Sequence, residues 1–207
     1  DRAIVAARAA CLRPFVVVNK CDLDSTPELL ASINSTYAES LPIFPASSVT
    51  LTGLAPLEEF MSEGHRGAFV GTTGVGKSSL LNVLCPDIDL KVGELSDYKG
   101  QGRHTTTVST LHALSGGGEL VDTPGFRDFG LVDISVEDLA EHFPGFEKHG
   151  AVACRFSNCR HRSEPGCAVI GLVDQGRITA ERYATYMEIL GEVEAEQSES
   201  RSRGWKN

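Results

Sequence analysis

At 207 residues and 41% apolar content, the chain is long enough for one good core plus a small satellite domain. A formal net charge of -9 gives no sign of a general polyanion binder, although local basic patches survive inside acidic chains. No apolar run approaches the roughly 18 residues of a membrane span and nothing resembles a signal peptide, so a cytoplasmic protein without membrane contact is expected.

The chain opens on Ala-rich helical sequence carrying Ile4, Val5, Ala7 and Arg8. Phe15-Val16-Val17-Val18 is a continuous apolar run of the kind a buried parallel strand needs. Asn19-Lys20-Cys21-Asp22 stands at its C-terminal end, where open α/β sheets bind ligands. A helix over about 27–38 and a short strand, Ile43–Ala46, follow. Ser47 and Ser48 come next, and Gly53 opens another helix. Gly67–Val70 reads as a strand feeding Gly71-Thr72-Thr73-Gly74-Val75-Gly76-Lys77-Ser78-Ser79, and Ser78–Leu84 as the helix that this loop starts. Residues 93–107 are Gly-rich and polar and read as a mobile loop. Thr107–Leu114 and Glu119–Val121 look like paired strands around a Ser-Gly-Gly-Gly turn, ending in Asp122-Thr123-Pro124-Gly125. Alternating strands and helices predict a doubly wound, mostly parallel sheet of the α/β class.

After about residue 133 the pattern changes. Ser135–Asp138 has a capping-box spacing, a cysteine-rich stretch follows, and a helix is expected from Thr179. Tyr183, Tyr186, Met187, Leu190 and Val193 recur on that helix at core spacing. The domain boundaries expected are 1–133, 134–195 for a metal-binding module, and 196–207 for a charged, Ser-rich, disordered tail.

Gly71–Ser78 matches G-x-x-x-x-G-K-S between a predicted strand and a predicted helix, the context that confirms a phosphate loop. Gly71, Thr72, Thr73, Gly74, Val75 and Gly76 would offer backbone N–H groups to phosphate oxygens, with Lys77 reaching the terminal phosphates and Ser78 holding Mg²⁺. Asp122 would bind Mg²⁺ through water, the Gly125 N–H would meet the γ-phosphate, and one of Thr105 and Thr106 would complete the metal shell. Asn19-Lys20-x-Asp22 selects the base: an ionised Asp22 accepts two hydrogen bonds from guanine that adenine does not offer. Lys20 can lie along the base plane, Asn19 can tie the motif to the phosphate loop, and the backbone at Ser47 and Ser48 can meet the guanine carbonyl. The nucleotide is therefore GTP with Mg²⁺. Phe126 stands where a water-orienting Gln is common, so His104, titratable near neutral pH, is the local candidate for catalysis beside Lys77; a solvent-exposed loop histidine is the bland alternative.

Six cysteines are present, and three of them join a histidine in Cys154-x4-Cys159-x-His161-x5-Cys167. Three thiolates and an imidazole form a closed tetrahedral set, which predicts one structural zinc ion in a reducing cytoplasm. Arg155, Arg160 and Arg162 lie among the ligands and can meet RNA phosphates, a solvated charged loop being the alternative.

The three nucleotide motifs stand in an unusual order, with the base-reading motif first, so the chain resembles a circularly permuted GTPase. Together with Gly102–Thr107, Asp122–Phe126 and the zinc spacing, they make it resemble the RsgA family (also called YjeQ or YloQ) across nearly its whole length. In that layout a strand precedes the opening helix, and the chain lacks an initiator Met, so an N-terminal truncation of that strand is expected. The resemblance implies an N-terminal OB-fold, absent here, ahead of the permuted GTPase and zinc domains. It also implies hydrolysis stimulated by the small ribosomal subunit late in that subunit's maturation, contact with its rRNA, and a catalytic role for His104. The segment after the metal switch leads out through Phe126–Asp133 into the zinc module, so hydrolysis is expected to be relayed to that module. The chain is expected to act as a monomer with GTP and GDP as ligands. The rival reading is a non-ribosomal GTP-dependent switch whose zinc module grips a protein partner.

Overall fold

The computed structural model describes residues 1–62, 66–85, 110–114, 116–122, 131, 134–146 and 154–204, with the backbone alone at 110, 122 and 200–204. Packing divides the chain into two compact units: residues 15–35 with 43–128, and residues 1–14 with 36–42 and 129–207.

In the first of these units, β-branched Val16–Val18 forms β1 and Ile43–Pro45 forms β2, paired in parallel with Val16 opposite Ile43. The crossover between them is α2 (Thr26–Tyr37), which starts at Thr26-Pro27, where a proline at the first turn sacrifices no hydrogen bond. The second sheet has the order β3-β5-β4: β3 (Arg66–Ala68) lies parallel to β5 (Glu119–Asp122), and β4 (Thr110–Ala113) lies antiparallel to β5. Helix α3 (Leu54–Met61) precedes β3, and α4 (Lys77–Leu84) follows it directly after the glycine loop. The core joins Leu57 from α3, Leu80, Leu81 and Leu84 from α4, and Leu120 from β5. Phe15, Phe44, Phe60 and Phe69 meet around it mostly edge to face. One doubly wound sheet was the expectation, and the described strands instead form two ladders over a shared core. The strands are three or four residues long, which limits how far each ladder can run.

In the other unit, α1 (Arg2–Ala9) packs on α5 (Leu139–His142) and buries Val5 completely in a core cluster that also takes in α6 (Ala168–Asp174) and α7 (Ala180–Gly204). Phe143, Phe146 and Tyr186 form the aromatic centre. Arg182 of α7 is the polar hub. Its guanidinium donates to both Asp1 carboxylate oxygens at 2.8 and 2.7 Å and to the Pro144 carbonyl, and it lies over the Phe143 and Tyr37 rings. Residues 1–14 thus pack with the C-terminal residues, so the units divide the chain differently from the expected boundary at 133. Ser135 does bond Asp138, but a turn intervenes and the helix starts only at Leu139. Helix α7 runs to Gly204, over part of the stretch expected as a tail from 196: Glu196, Gln197 and Glu199 are good helix formers that extend an existing helix without a new nucleation cost. Helix α6 was not expected; its signal is the apolar run Ala168-Val169-Ile170 directly after Cys167.

Candidate nucleotide site and metal centre

Strand β1 ends at Val18 and delivers Asn19 to Asp22 to the same place as the glycine loop after β3. The Asn19 amide donates to the Val75 carbonyl at 3.0 Å and its oxygen accepts from the Ser48 N–H at 3.2 Å. The Lys20 ammonium donates to the Gly74 carbonyl at 2.7 Å. The base-reading motif is therefore stitched to the phosphate loop by its own side chains. Two glycines of that loop hold left-handed backbone, Gly74 at φ 87° and Gly76 at φ 92°. A β-carbon on Gly76 would come within 2.2 Å of the Asn19 amide nitrogen, so the close approach itself requires glycine.

Asp22 is held from the β2 side. The buried Ser47 hydroxyl donates to Asp22 Oδ1 at 2.5 Å and accepts from the N–H groups of Val49 and Thr50. With one oxygen fixed, the carboxylate presents a defined edge to a base. Lys77, the first residue of α4, folds its ammonium onto the Gly71 and Thr72 carbonyls at 2.7 and 3.0 Å. Ser78 and Ser79 open the same helix, whose N-terminus adds partial positive charge to the loop. Asp122 ends β5, on the strand beside β3. His104, Thr105, Thr106, Gly125 and Phe126 lie outside the described residues.

The ligand atoms of Cys154, Cys159, His161 and Cys167 all lie within 4.8 Å of one another, with His161 Nδ1 3.6 Å from Cys154 Sγ and 3.3 Å from Cys167 Sγ. A tetrahedron with metal–sulfur bonds of about 2.3 Å has edges of about 3.8 Å, so this donor set fits one zinc ion. Burial lowers the His161 pKa and favours the neutral imidazole a metal needs. Burial likewise pushes the Cys159 thiol up to about 12, with the neighbouring thiols Cys167 and Cys154 adding to the rise, and it raises Cys167. Without a cation the buried thiols stay protonated, so metal binding must expel their protons.

The sequence reading missed how this loop is held. Burial alone would raise the Glu164 carboxyl, but the N–H groups of Arg160, Ser163 and Arg162 converge on it at 2.8–3.0 Å and hold it down at about 2. Tyr183 and Tyr186, expected as core, also donate their hydroxyls to the His161 and Arg160 carbonyls. The helical stripe in the sequence carried the packing half of that role; the two phenols within it were the signal for the other half. Arg160 and Arg162 both pair with Glu194 of α7, whereas Arg155 lies over the exposed Phe156 ring.

The family described as RsgA GTPase matches residues 1–132. The chain is 41% identical over 197 residues to the "Small ribosomal subunit biogenesis GTPase RsgA" of Ectopseudomonas mendocina, covering 93% of this chain and 57% of that one. It is 40% identical over 198 residues to the protein of the same name in Pseudomonas aeruginosa, with the same coverage. The chain thus spans little more than half the length of these relatives. Among solved structures it is similar to YjeQ from Thermotoga maritima (TM-score 0.75, 32% identity, 93% of this chain and 64% of that one). It is also similar to YloQ, a circularly permuted GTPase (TM-score 0.70, 28% identity, 94% and 62%). The order of motifs, the stitched loops and the α/β architecture agree with these likenesses, and the chain belongs to the RsgA GTPase family.

Proposed function

We propose that this chain is the nucleotide-binding and zinc-bearing part of a GTP hydrolase that serves maturation of the small ribosomal subunit. The observation that carries this reading is the pair of bonds from Asn19 to Val75 and from Lys20 to Gly74. They bring the base-reading motif and the phosphate loop into one site, as a single GTP molecule spanning both requires. Asp22 then reads the guanine edge with Ser47 fixing one of its oxygens, while the Ser47 and Ser48 N–H groups, expected at the base carbonyl, are donated to the Thr52 carbonyl and to Asn19 Oδ1. Lys77 exchanges its loop carbonyls for the terminal phosphates. Ser78, Asp122 and one of Thr105 and Thr106 would hold magnesium, which would supply charge neutralisation at the phosphates. His104 orients the attacking water in place of the usual Gln, and Gly125 meets the γ-phosphate. Such a site turns over slowly without an external stimulus, and the stimulus we propose is the small ribosomal subunit, whose biogenesis the relatives are named for.

A zinc ion held by Cys154, Cys159, His161 and Cys167 would be structural, since four protein ligands would leave no open position. Arg155 is the best placed of the three arginines for rRNA, because Arg160 and Arg162 are committed to Glu194. Among the described residues no helix is long and apolar enough to cross a membrane. The test is GTP turnover by the intact protein with and without purified small subunits, with ATP as control. Subunit-dependent turnover of GTP, favoured over ATP by roughly 10⁴-fold, is expected. A flat response to subunits overturns the ribosomal reading, and equal use of ATP overturns the reading of the base site.

A further inference from the structure

Among the described residues, three polar or charged side chains are buried: Ser47, His161 and Thr26. Ser47 holds Asp22 and His161 belongs to the metal cluster. Thr26, 6% exposed at the first position of α2, belongs to no motif. Its hydroxyl donates to the Lys20 carbonyl at 2.8 Å. A threonine before a helix-opening proline ordinarily serves its own helix by accepting from the first turn. This one also sends its proton six residues back, to the base-reading motif.

Lys20 needs holding. Its φ is 66°, the left-handed region that side chains avoid, and such a conformation persists only where the surroundings over-determine it. The turn is what lets consecutive residues face different partners. Asn19 reaches Val75, Lys20 reaches Gly74, and the Cys21 N–H returns to the Ala46 carbonyl at 3.0 Å. The Lys20 carbonyl closes this turn by accepting from the Leu23 N–H at 3.0 Å and from Thr26. Leu23 bonds it from within the turn, whereas Thr26 ties it to the start of a twelve-residue helix.

We propose that Thr26 is a positioning residue for guanine-nucleotide binding: its hydroxyl locks the left-handed Lys20 peptide and so sets the aim of Asn19, Lys20 and Asp22. This inference rests on the GTP reading of the site. Because the turn is needed equally in ground and transition states, loss of the hydroxyl raises KM and the GDP dissociation constant and leaves kcat unchanged.

The experiment measures GDP binding by the full chain with a fluorescent analogue, alongside thermal melting, for wild type, Thr26→Val and Thr26→Ser. Valine keeps the volume and loses the hydroxyl, and serine does the reverse. The expected result is roughly 3–10-fold weaker binding for T26V and near wild-type binding for T26S. A packing role gives the opposite order, with T26S the weaker, and overturns the proposal, as does T26V binding like wild type. If T26V does not fold, T26S decides alone: retained affinity supports the hydroxyl and lost affinity overturns it. Failure of the wild-type chain to bind GDP overturns the site reading as well, whereas normal wild-type binding with an unaffected T26V overturns this inference alone.

Discussion

The Asn19 amide nitrogen lies 2.2 Å from where a β-carbon on Gly76 would sit. Gly76→Ala therefore forces Asn19 off the Val75 carbonyl and strains a backbone at φ 92°, and guanine-nucleotide affinity should fall roughly 10-fold or more in a GDP titration. Glu164 presents a different chemistry on the same scale. One of its oxygens accepts from Arg160 and the other from Arg162 and Ser163, so either orientation of a glutamine amide sets an NH₂ group against a backbone donor. Glu164→Gln should lower zinc affinity by roughly 10–100-fold in competition with a chromogenic chelator. The residue types at both sites were legible in the sequence, because Gly-x-x-x-x-Gly-Lys-Ser and the Cys/His spacing each encode a local geometry. Thr26, Glu164 and the tyrosine hydroxyls were not legible, because each acts on a backbone group and leaves no spacing signature. The residues of the switch loop, His104 among them, are read from sequence and lie outside the described residues.

Helix α7 is the element on which the unit with the Cys/His cluster is assembled, through Tyr183 and Tyr186 toward the cluster's loop, Glu194 toward its arginines, and Arg182 toward Asp1 and Pro144. Arg182 is nearly buried and makes a two-pronged ion pair, so Arg182→Met should cost roughly 3–5 kcal/mol in urea unfolding of the whole chain. Lysine should not rescue it, since an ammonium cannot reproduce the fork. The zinc loop adds a pH dependence with a definite sign. The Cys159 and Cys167 thiols are raised, Cys159 to about 12, so metal-free protein is favoured while they are protonated and loses stability as pH rises above the ordinary thiol range. Zinc reverses this: binding must release at least those two protons, and affinity should fall as pH falls. Calorimetry in buffers of different ionisation enthalpy would count them. Most helices were legible from period and caps, while the sheet was less so: strand positions follow from apolar runs, but which ladders close depends on strand length and partners far away.

For the whole molecule, the family match ends at residue 132, yet the packing of α1 with the C-terminal residues ignores that limit. A fragment 134–204 lacks the Val5 that α1 buries in its core and the Asp1 that pairs with Arg182. It should melt well below the intact chain in circular dichroism, even with zinc supplied. Sequence could not show this, because an Ala-rich helix with one buried valine names no partner. The chain passes between its two units at 14/15, 35/36, 42/43 and 128/129. Between α1 and the C-terminal helices of the same unit, synthesis therefore runs through residues 15–128, nearly all of them material of the other unit. Helix α1 must wait more than a hundred residues, its valine without a home, until Tyr186 and the rest of α7 leave the exit tunnel. For a protein proposed to serve ribosome maturation, the two helices α1 and α7 that share one core are thus made far apart in time, with nearly all of the nucleotide-binding unit between them.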